Sequence, residues 1–570
     1  MRRFVTAASI LLCAILASLA GSQVSAQESS GTISGFVRDA TNGEPLIAAT
    51  ILVEGQPLGT ITNESGYYVL PRVPVGNVDL VFTYIGFEPL PRRIELSAGA
   101  NVRTDVRMVY QVVEAEETVI RADSMRAAES LYRKPISEVR LQARQINSMP
   151  QVAEADLMRA LQTLPGVLPL SDFSSALYVR GGTPDQNLYM IDGTDVYNPE
   201  HTFGIFSTFN TDAIKQVELS KGGFGAQYGG RLSSVLSVTN LEGNREEFEG
   251  TASVSLLSAK STLQMPLGER GSLSGSLRRT YFDQTAARFI DDVPDYYFYD
   301  GNIKAFLELS DRDQLTLSAY GGRDFLDVIF NPDATEETGF AVDWGNKTFS
   351  GRWTRVITPR TFGHLWVTGS RFSSDFLLDI ADVIERNFVS DITVKGEFES
   401  HRSPRLITRF GFERKDLNVL FRQEFPDGLI EVNHRPEHYV FYSQTAWRPT
   451  SRWEVEAGAR LNRFASDKTF TDVAPRLALK HRLTDTINLR ASSGIYYQYL
   501  HRIPRFIATD IWVASNQDQD RSRAIHAIVG YQQELKNNFQ FEVEAYWKGY
   551  SQIFAFNQTF RTELEETSHD

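Results

Sequence analysis

The chain has 570 residues, a net charge of −13, 42% hydrophobic and 11% aromatic residues, 40 glycines and a single cysteine. The acidic balance excludes a nucleic-acid binder, which needs a basic surface. One cysteine excludes a disulfide framework, and no internal run approaches the ~20 apolar residues of a membrane helix. Membrane strands stay open to it, because they alternate apolar and polar residues and look mild on average.

Arg2 and Arg3 precede a mostly apolar stretch from Phe4 to Ala20, and Val24-Ser25-Ala26 supplies modest residues around a cleavage point. Residues 1–26 therefore read as a secretory signal peptide. Cys13 lies inside the apolar run behind Leu12, where a lipid-acceptor cysteine wants a small residue, so no lipid anchor is expected.

Residues 27–110 read as a small β-sandwich. Runs such as TISGFV, AATILVEG, GYYVL and VDLVFTYIGF alternate with the turn clusters DATNGEP, TNESG and VPVGN. The words G-x-V-x-D, G-x-P-L-x-A-A-x-I, T-x-x-x-G-x-Y and F-x-Y-I-G-F resemble the carboxypeptidase regulatory-like domain, which implies a scaffold without catalytic residues. The DATNGE turn lacks the spaced acidic ligands of a calcium loop and reads as a hairpin turn. Residues 111–144 are a polar linker containing EAEETVIRAD. In the mixed region that follows, 145–241, VAEADLMRALQTLPGV spaces Val152, Leu157, Leu161 and Leu164 as a short helix stopped at Pro165-Gly166. LYVRGGTPDQNLYMIDGTDV reads as two strands around a turn.

From 242 to 570 the pattern is strict alternation. Phe541, Val543, Trp453 and Val455 fall on one face, and Glu542, Glu544, Glu454 and Glu456 on the other. Short turns (LGER, SDRD, ITPR, HRSPR, RPTSR, LTDT, KNN) alternate with long polar stretches at 322–346, 370–390, 420–437 and 500–522, which predict long loops on one side. Aromatic clusters at Tyr281, Tyr296, Tyr439 and Tyr496 suit interface girdles. The fold expected is mainly β: a sandwich, a mixed α/β unit and an antiparallel transmembrane barrel of about 14–15 strands.

The segment from Leu177 to Thr239 carries VRGG, MIDG, V-Y-N-P, FSTFNTDAIKQVE and KGGFGAQYGGRLSSV in series. It resembles the plug domain of TonB-dependent outer-membrane transporters with an N-terminal carboxypeptidase regulatory-like extension. The resemblance implies an outer-membrane barrel of twenty-two strands around the plug, with the sandwich in the periplasm. Its partners would be the TonB energy-coupling protein, outer-membrane lipid and an extracellular ligand, with no enzyme activity, cofactor or metal. Glu116, Glu117, Thr118, Val119 and Ile120 match the TonB box, an extended, strand-prone word suited to joining a partner's sheet edge. In the plug, Arg180, Gly181, Gly182, Asp192 and Gly193 are the candidate gate. The glycines permit tight turns, and Arg180 and Asp192 are expected to make charge-assisted contacts with the barrel wall or to hold the plug's own turns. The alternative is a receptor or adhesion protein of this fold without import. Because the strand count falls short of twenty-two and RTELEETSHD lacks a terminal aromatic strand, a C-terminally truncated barrel missing about seven strands is also expected.

His434-Arg435-Pro436-Glu437-His438 spells H-x-x-E-H, a zinc-peptidase word when it lies on a helix. Pro436 and the flanking strand patterns argue against that helix.

Overall fold

Alternating Gly/Asn turns and β-branched runs build two small sheets at the N-terminus. Ser30–Asp39 pairs with Tyr67–Pro74 and with Asn101–Arg103 and Val106–Met108, while Thr50–Val53 joins Gly59–Ile61, Gly76–Thr83 and Leu90–Leu96. Ile33, Val37, Ile51, Leu70, Leu80 and Phe82 fill the space between them. In the DATNGE turn Asp39 N–H donates to the Glu44 carbonyl, and no metal-binding cluster occurs among the described residues. The computed structural model describes residues 30–111, 136–149, 154–284, 295–330, 338–503, 509–535 and 539–553, apart from positions 57, 64, 85, 170, 172, 173, 202 and 203.

The second unit is a five-stranded sheet in the order Thr194–Asp195, Asn187–Ile191, Ser234–Asn240, Ile214–Ser220, Glu138–Gln142. Its edge strand comes from residues that the sequence pattern leaves in the linker, because five residues are too few to show a period. The predicted helix forms over Leu157–Gln162, capped by Asp156, whose carboxylate accepts from Arg159 N–H at 3.1 Å. Leu157 and Leu161 are buried against Val217, Leu236 and Val238, and Val152 lies outside the described residues. Tyr178–Val179 and Asn187–Ile191 are both strands, but they pair elsewhere: the first with Val167–Leu168, the second in parallel with Ser234–Asn240.

Around this unit runs a 16-stranded antiparallel sheet. Its strands follow chain order from Glu249–Val254 to Gln540–Ser551, with Gly428–His434 as a side hairpin on Leu406–Phe425. The sheet begins with two strands, Glu249–Val254 and Ser258–Pro266. The six described short turns sit where the sequence puts them. Of the four long stretches, 500–522 does leave the wall as a long connection, carrying the separate pair Leu500–Ile503 and Ile511–Ala514, while the described residues of the other three are mostly strand. Strands of 18 and 21 residues, Thr361–Leu378 and Val383–Ser403, meet across 379–382, and 420–437 is mostly the Gly428–His434 hairpin. A 20-residue strand such as Gly339–Thr358 spans ~66 Å, far more than the ~25 Å apolar band, so these polar residues extend the wall as strands. His434 and Glu437 lie on consecutive strands, so H-x-x-E-H has no helix. Among the described residues Glu249–Val254 and Gln540–Ser551 each pair on one side only, and the sheet is open at both edges.

The two faces differ as alternation demands. Phe541, Val543 and Trp453 are exposed outward, whereas Glu454 is buried inward between Lys480 at 2.7 Å and Arg448. Outward Leu317 lies midway along its strand between Asp313 and Gly321, flanked by Ala305 and Gly351. Leu317→Lys is expected to destabilise the membrane-inserted protein by ~2–4 kcal/mol, read from the urea midpoint in lipid vesicles, because it places a charge near the hydrocarbon midplane.

The sandwich docks on the short-turn end. Arg38 pairs with Glu308, Arg360 Nε donates to Thr32 Oγ1 at 2.9 Å, and Tyr67 packs edge-on to Phe362 at 5.9 Å. Glu44, at the end of the DATNGE turn, accepts from the Glu242 and Gly243 amides at 2.6 and 3.2 Å and reaches Lys215 at 3.3 Å. It therefore ties the sandwich to the junction between the inner unit and the wall.

Candidate functional site: the plug–wall clamps

Two hairpin tips of the inner unit carry the residues singled out from sequence. Val179 and Gly182 exchange both backbone hydrogen bonds, at 3.2 and 3.0 Å, and the two residues between them have positive φ, 50° at Arg180 and 80° at Gly181. Ile191 and Thr194 flank a second such turn, with φ 48° at Asp192 and 82° at Gly193. Two-residue loops with positive φ at both centres match the twist of the strands they join, which accounts for the glycines. Gly182 has a different reason: a Cβ there would meet Ser233 Oγ at 2.2 Å. An arginine in the left-handed region is uncommon and needs compensation.

That compensation comes from the wall. The Arg180 guanidinium pairs with Glu544, donates to Ser137 Oγ at 3.0 Å and lies over the Tyr546 ring at 4.8 Å. Ser137 Oγ in turn donates to Glu544 Oε1 at 3.0 Å. Lys548 Nζ donates to the Val179 and Ser233 carbonyls at 3.2 and 3.0 Å. At the other tip Lys304 Nζ donates to Asp192 Oδ1 at 2.8 Å and to the Asn240 carbonyl at 2.9 Å. The Arg180 and Glu544 side chains are 3% and 10% exposed, those of Lys304 and Asp192 2% and 7%, so both pairs are shielded from solvent screening.

Other clamps were not singled out from sequence. Asp195 meets Lys415 at 2.6 Å, Tyr197 donates to Asp391 at 2.6 Å, and Glu154 meets Lys260 at 2.5 Å. His201 is stacked on Phe298 at 4.1 Å, with Nδ1 2.5 Å from Asp324. Burial disfavours its charged form, but Asp324 and Asp300 outweigh this and hold its pKa above the ordinary imidazole value. The His201 contribution is thus fully present below the ordinary value and lost as pH rises through the raised one. Tyr197 stands in the family word V-Y-N-P, while Asp195 and His201 lie just outside the family words. Their partners, about a hundred residues or more away on the wall, were not legible. The handle Glu116–Ile120 lies outside the described residues.

A sheet unit clamped by buried charges inside a wall of alternating antiparallel strands is the arrangement of a plug within a β-barrel wall. Residues 33–120 match the CarboxypepD_reg-like domain, and residues 134–234 the TonB-dependent receptor plug domain. The chain is 23% identical over 241 residues to the TonB-dependent transporter Oar of Myxococcus xanthus, covering 41% of this chain and 22% of that one. It is 28% identical over 235 residues to the TonB-dependent receptor P26 of Formosa agariphila, covering 39% of this chain and 21% of the relative. The matched region thus spans about a fifth of the length of these relatives. Among solved structures, the ferric enterobactin receptor PfeA of Pseudomonas aeruginosa superposes with a TM-score of 0.57 at 14% identity, covering 74% of this chain and 72% of that one. The siderophore receptor PirA of Acinetobacter baumannii gives 0.57 at 13% identity, covering 74% and 72%. These structural likenesses carry the fold. The chain thus carries a CarboxypepD_reg-like domain followed by a TonB-dependent receptor plug domain, and the strand wall around the plug shares the fold of the receptor barrels.

Proposed function

We propose that the protein is an energy-coupled importer of an extracellular ligand, in which a TonB-type partner pulls on Glu116–Ile120 and frees the plug from the wall. The observation that carries this reading is the junction of Ser137, Arg180 and Glu544. In sequence fifteen residues separate the handle from Ile136 and Ser137, and Ser137 bonds at once to the plug arginine and the wall glutamate. The next residues, Glu138–Gln142, form the sheet's edge strand, held by five residue pairs to Ile214–Ser220. A pull arriving there meets one edge of the sheet, and it removes the shared Ser137 partner first. The sandwich's contacts with the short turns support a periplasmic position for it, on the side from which the handle would be reached.

Val119→Pro removes an amide donor and blocks addition of the handle to a partner's sheet. Its cross-linking to TonB in cells is expected to fall at least about tenfold, with the barrel still folded by heat-modifiable mobility. Solute uptake from a mixed medium, read by mass spectrometry, should drop to that of cells lacking the protein. Uptake unchanged from wild type would remove Glu116–Ile120 as the handle, and uptake already no higher in wild type than in cells lacking the protein would leave a receptor or adhesion protein without import.

A further inference from the structure

The outward face of the wall carries two adjoining depressions that the plug, the handle and the clamps do not use. The first, about 860 Å³, is lined by Ala252, Ser261, Gly301 and Gly321 and by the exposed apolar side chains Leu277 and Ile303; Leu277 lies over Gly301, and the space above Gly321 is open. The second, about 590 Å³, is lined by Arg323, Arg371, Arg386, Ser373 and Phe388. Lys347 belongs to both, so one opens onto the other.

The charges are arranged unusually for a strand surface. Lys347 and Arg371 are direct cross-strand partners on the outward face. Like charges in that position repel and destabilise the pair. Arg323 is engaged by Asp343, and Arg386 by Asp375 at 3.5 Å. Among the described residues neither Lys347 nor Arg371 has a carboxylate partner, and Arg371 rests on the Phe388 ring at 4.8 Å. Their height on the wall is also set. On the strand Gly339–Thr358 the outward residues between Lys347 and the turn-proximal Arg355 are Phe349, Gly351 and Trp353. Eight residues of strand rise ~26 Å, or ~20 Å at a ~40° tilt, close to the apolar band. Lys347 and Arg371 thus stand at the membrane–water boundary remote from the short turns. The small-residue groove runs from Lys347 across four strands toward Val254.

We infer that this face is a binding site for an anionic, phosphate-bearing, acylated membrane lipid. Its phosphate bridges Lys347 and Arg371, and an acyl chain lies in the groove over Gly321, against Leu277 and Ile303. A phosphate between the two cations replaces their mutual repulsion with two charge-assisted contacts. The groove has room for a chain above Gly321, where no atom lies within 4 Å of a Cβ position, and the exposed Leu277 and Ile303 give it an apolar wall. Free inorganic phosphate would use the charges but not the groove.

The full-length protein in nanodiscs of phosphatidylcholine containing one-tenth phosphatidylglycerol or lipid A, extracted into detergent and weighed by native mass spectrometry, tests this. The wild type is expected to retain anionic lipid over phosphatidylcholine. Lys347→Gln with Arg371→Gln should weaken retention about thirtyfold, at ~1 kcal/mol per surface cation. Gly321→Leu leaves every charge in place, and a Cβ at this position meets nothing within 4 Å. It should fold normally and still displace the chain, reducing retention of the anionic lipid without raising that of phosphatidylcholine. Equal retention by wild type and the double variant overturns the site. So does displacement of the lipid by inorganic phosphate alone, or unchanged retention in Gly321→Leu.

Discussion

Glu544→Gln is expected to loosen the plug by ~3–5 kcal/mol, the range for removing one partner of a buried ion pair. The glutamine keeps the shape and still accepts from Ser137, so packing is preserved. What is lost is the carboxylate paired with the buried Arg180, which also acts on Lys221. Arg180 is held by that contact in a left-handed conformation that arginine disfavours, so the turn at Arg180-Gly181 should relax with it. Hydrogen exchange of the Val179 and Leu219 amides reads the effect directly. Exchange faster by two to three orders of magnitude is expected, with the wall strands unchanged. The exposed pair Arg386–Asp375, broken by Asp375→Asn, is the contrast: under ~1 kcal/mol and no change in plug exchange. Equal behaviour of the two variants would show that Arg180–Glu544 is not a clamp.

Lys304→Met is expected to have an effect of similar size at the other hairpin. Met fills much of the lysine's volume, so the change isolates the charge. Asp192 would keep only its contact from the Asn240 amide, at 3.2 Å, and the Asn240 carbonyl would lose its donor. A buried unpaired carboxylate costs ~3–5 kcal/mol, but Asp192→Asn in the same protein removes that charge. Asparagine also tolerates the left-handed backbone of this turn. The double variant should therefore be more stable than Lys304→Met alone, giving a coupling of ~1–3 kcal/mol in a double-mutant cycle on thermal unfolding. Strictly additive effects would mean that the 2.8 Å contact does not bind plug to wall.

The sequence by itself determined the faces of the wall, the positions of its short turns and the location of the plug. Each of these is local: alternation has a period of two, a turn needs Gly, Pro, Asn or Asp, and family words are contiguous. The same holds for the two hairpin tips, where Arg180-Gly181 and Asp192-Gly193 stand in words that announce a tight turn. Tertiary structure alone decided what the tips hold. Arg180 and Glu544 are separated by most of the chain, and alternation puts Glu542 and Glu544 on the same lumen face without saying which one meets a plug residue. The structure gives Glu544 to Arg180 and Glu542 to Arg490. The edge strand Glu138–Gln142 was hidden for a related reason, since so short a strand is specified by its partner Ile214–Ser220 more than by its own pattern. Three of the four long polar stretches misled because polarity separates water from lipid, not loop from strand. Beyond the apolar band both faces of a strand are wetted, the alternation fades, and only the hydrogen bonds of neighbouring strands keep residues such as those at 322–329 and 370–378 extended.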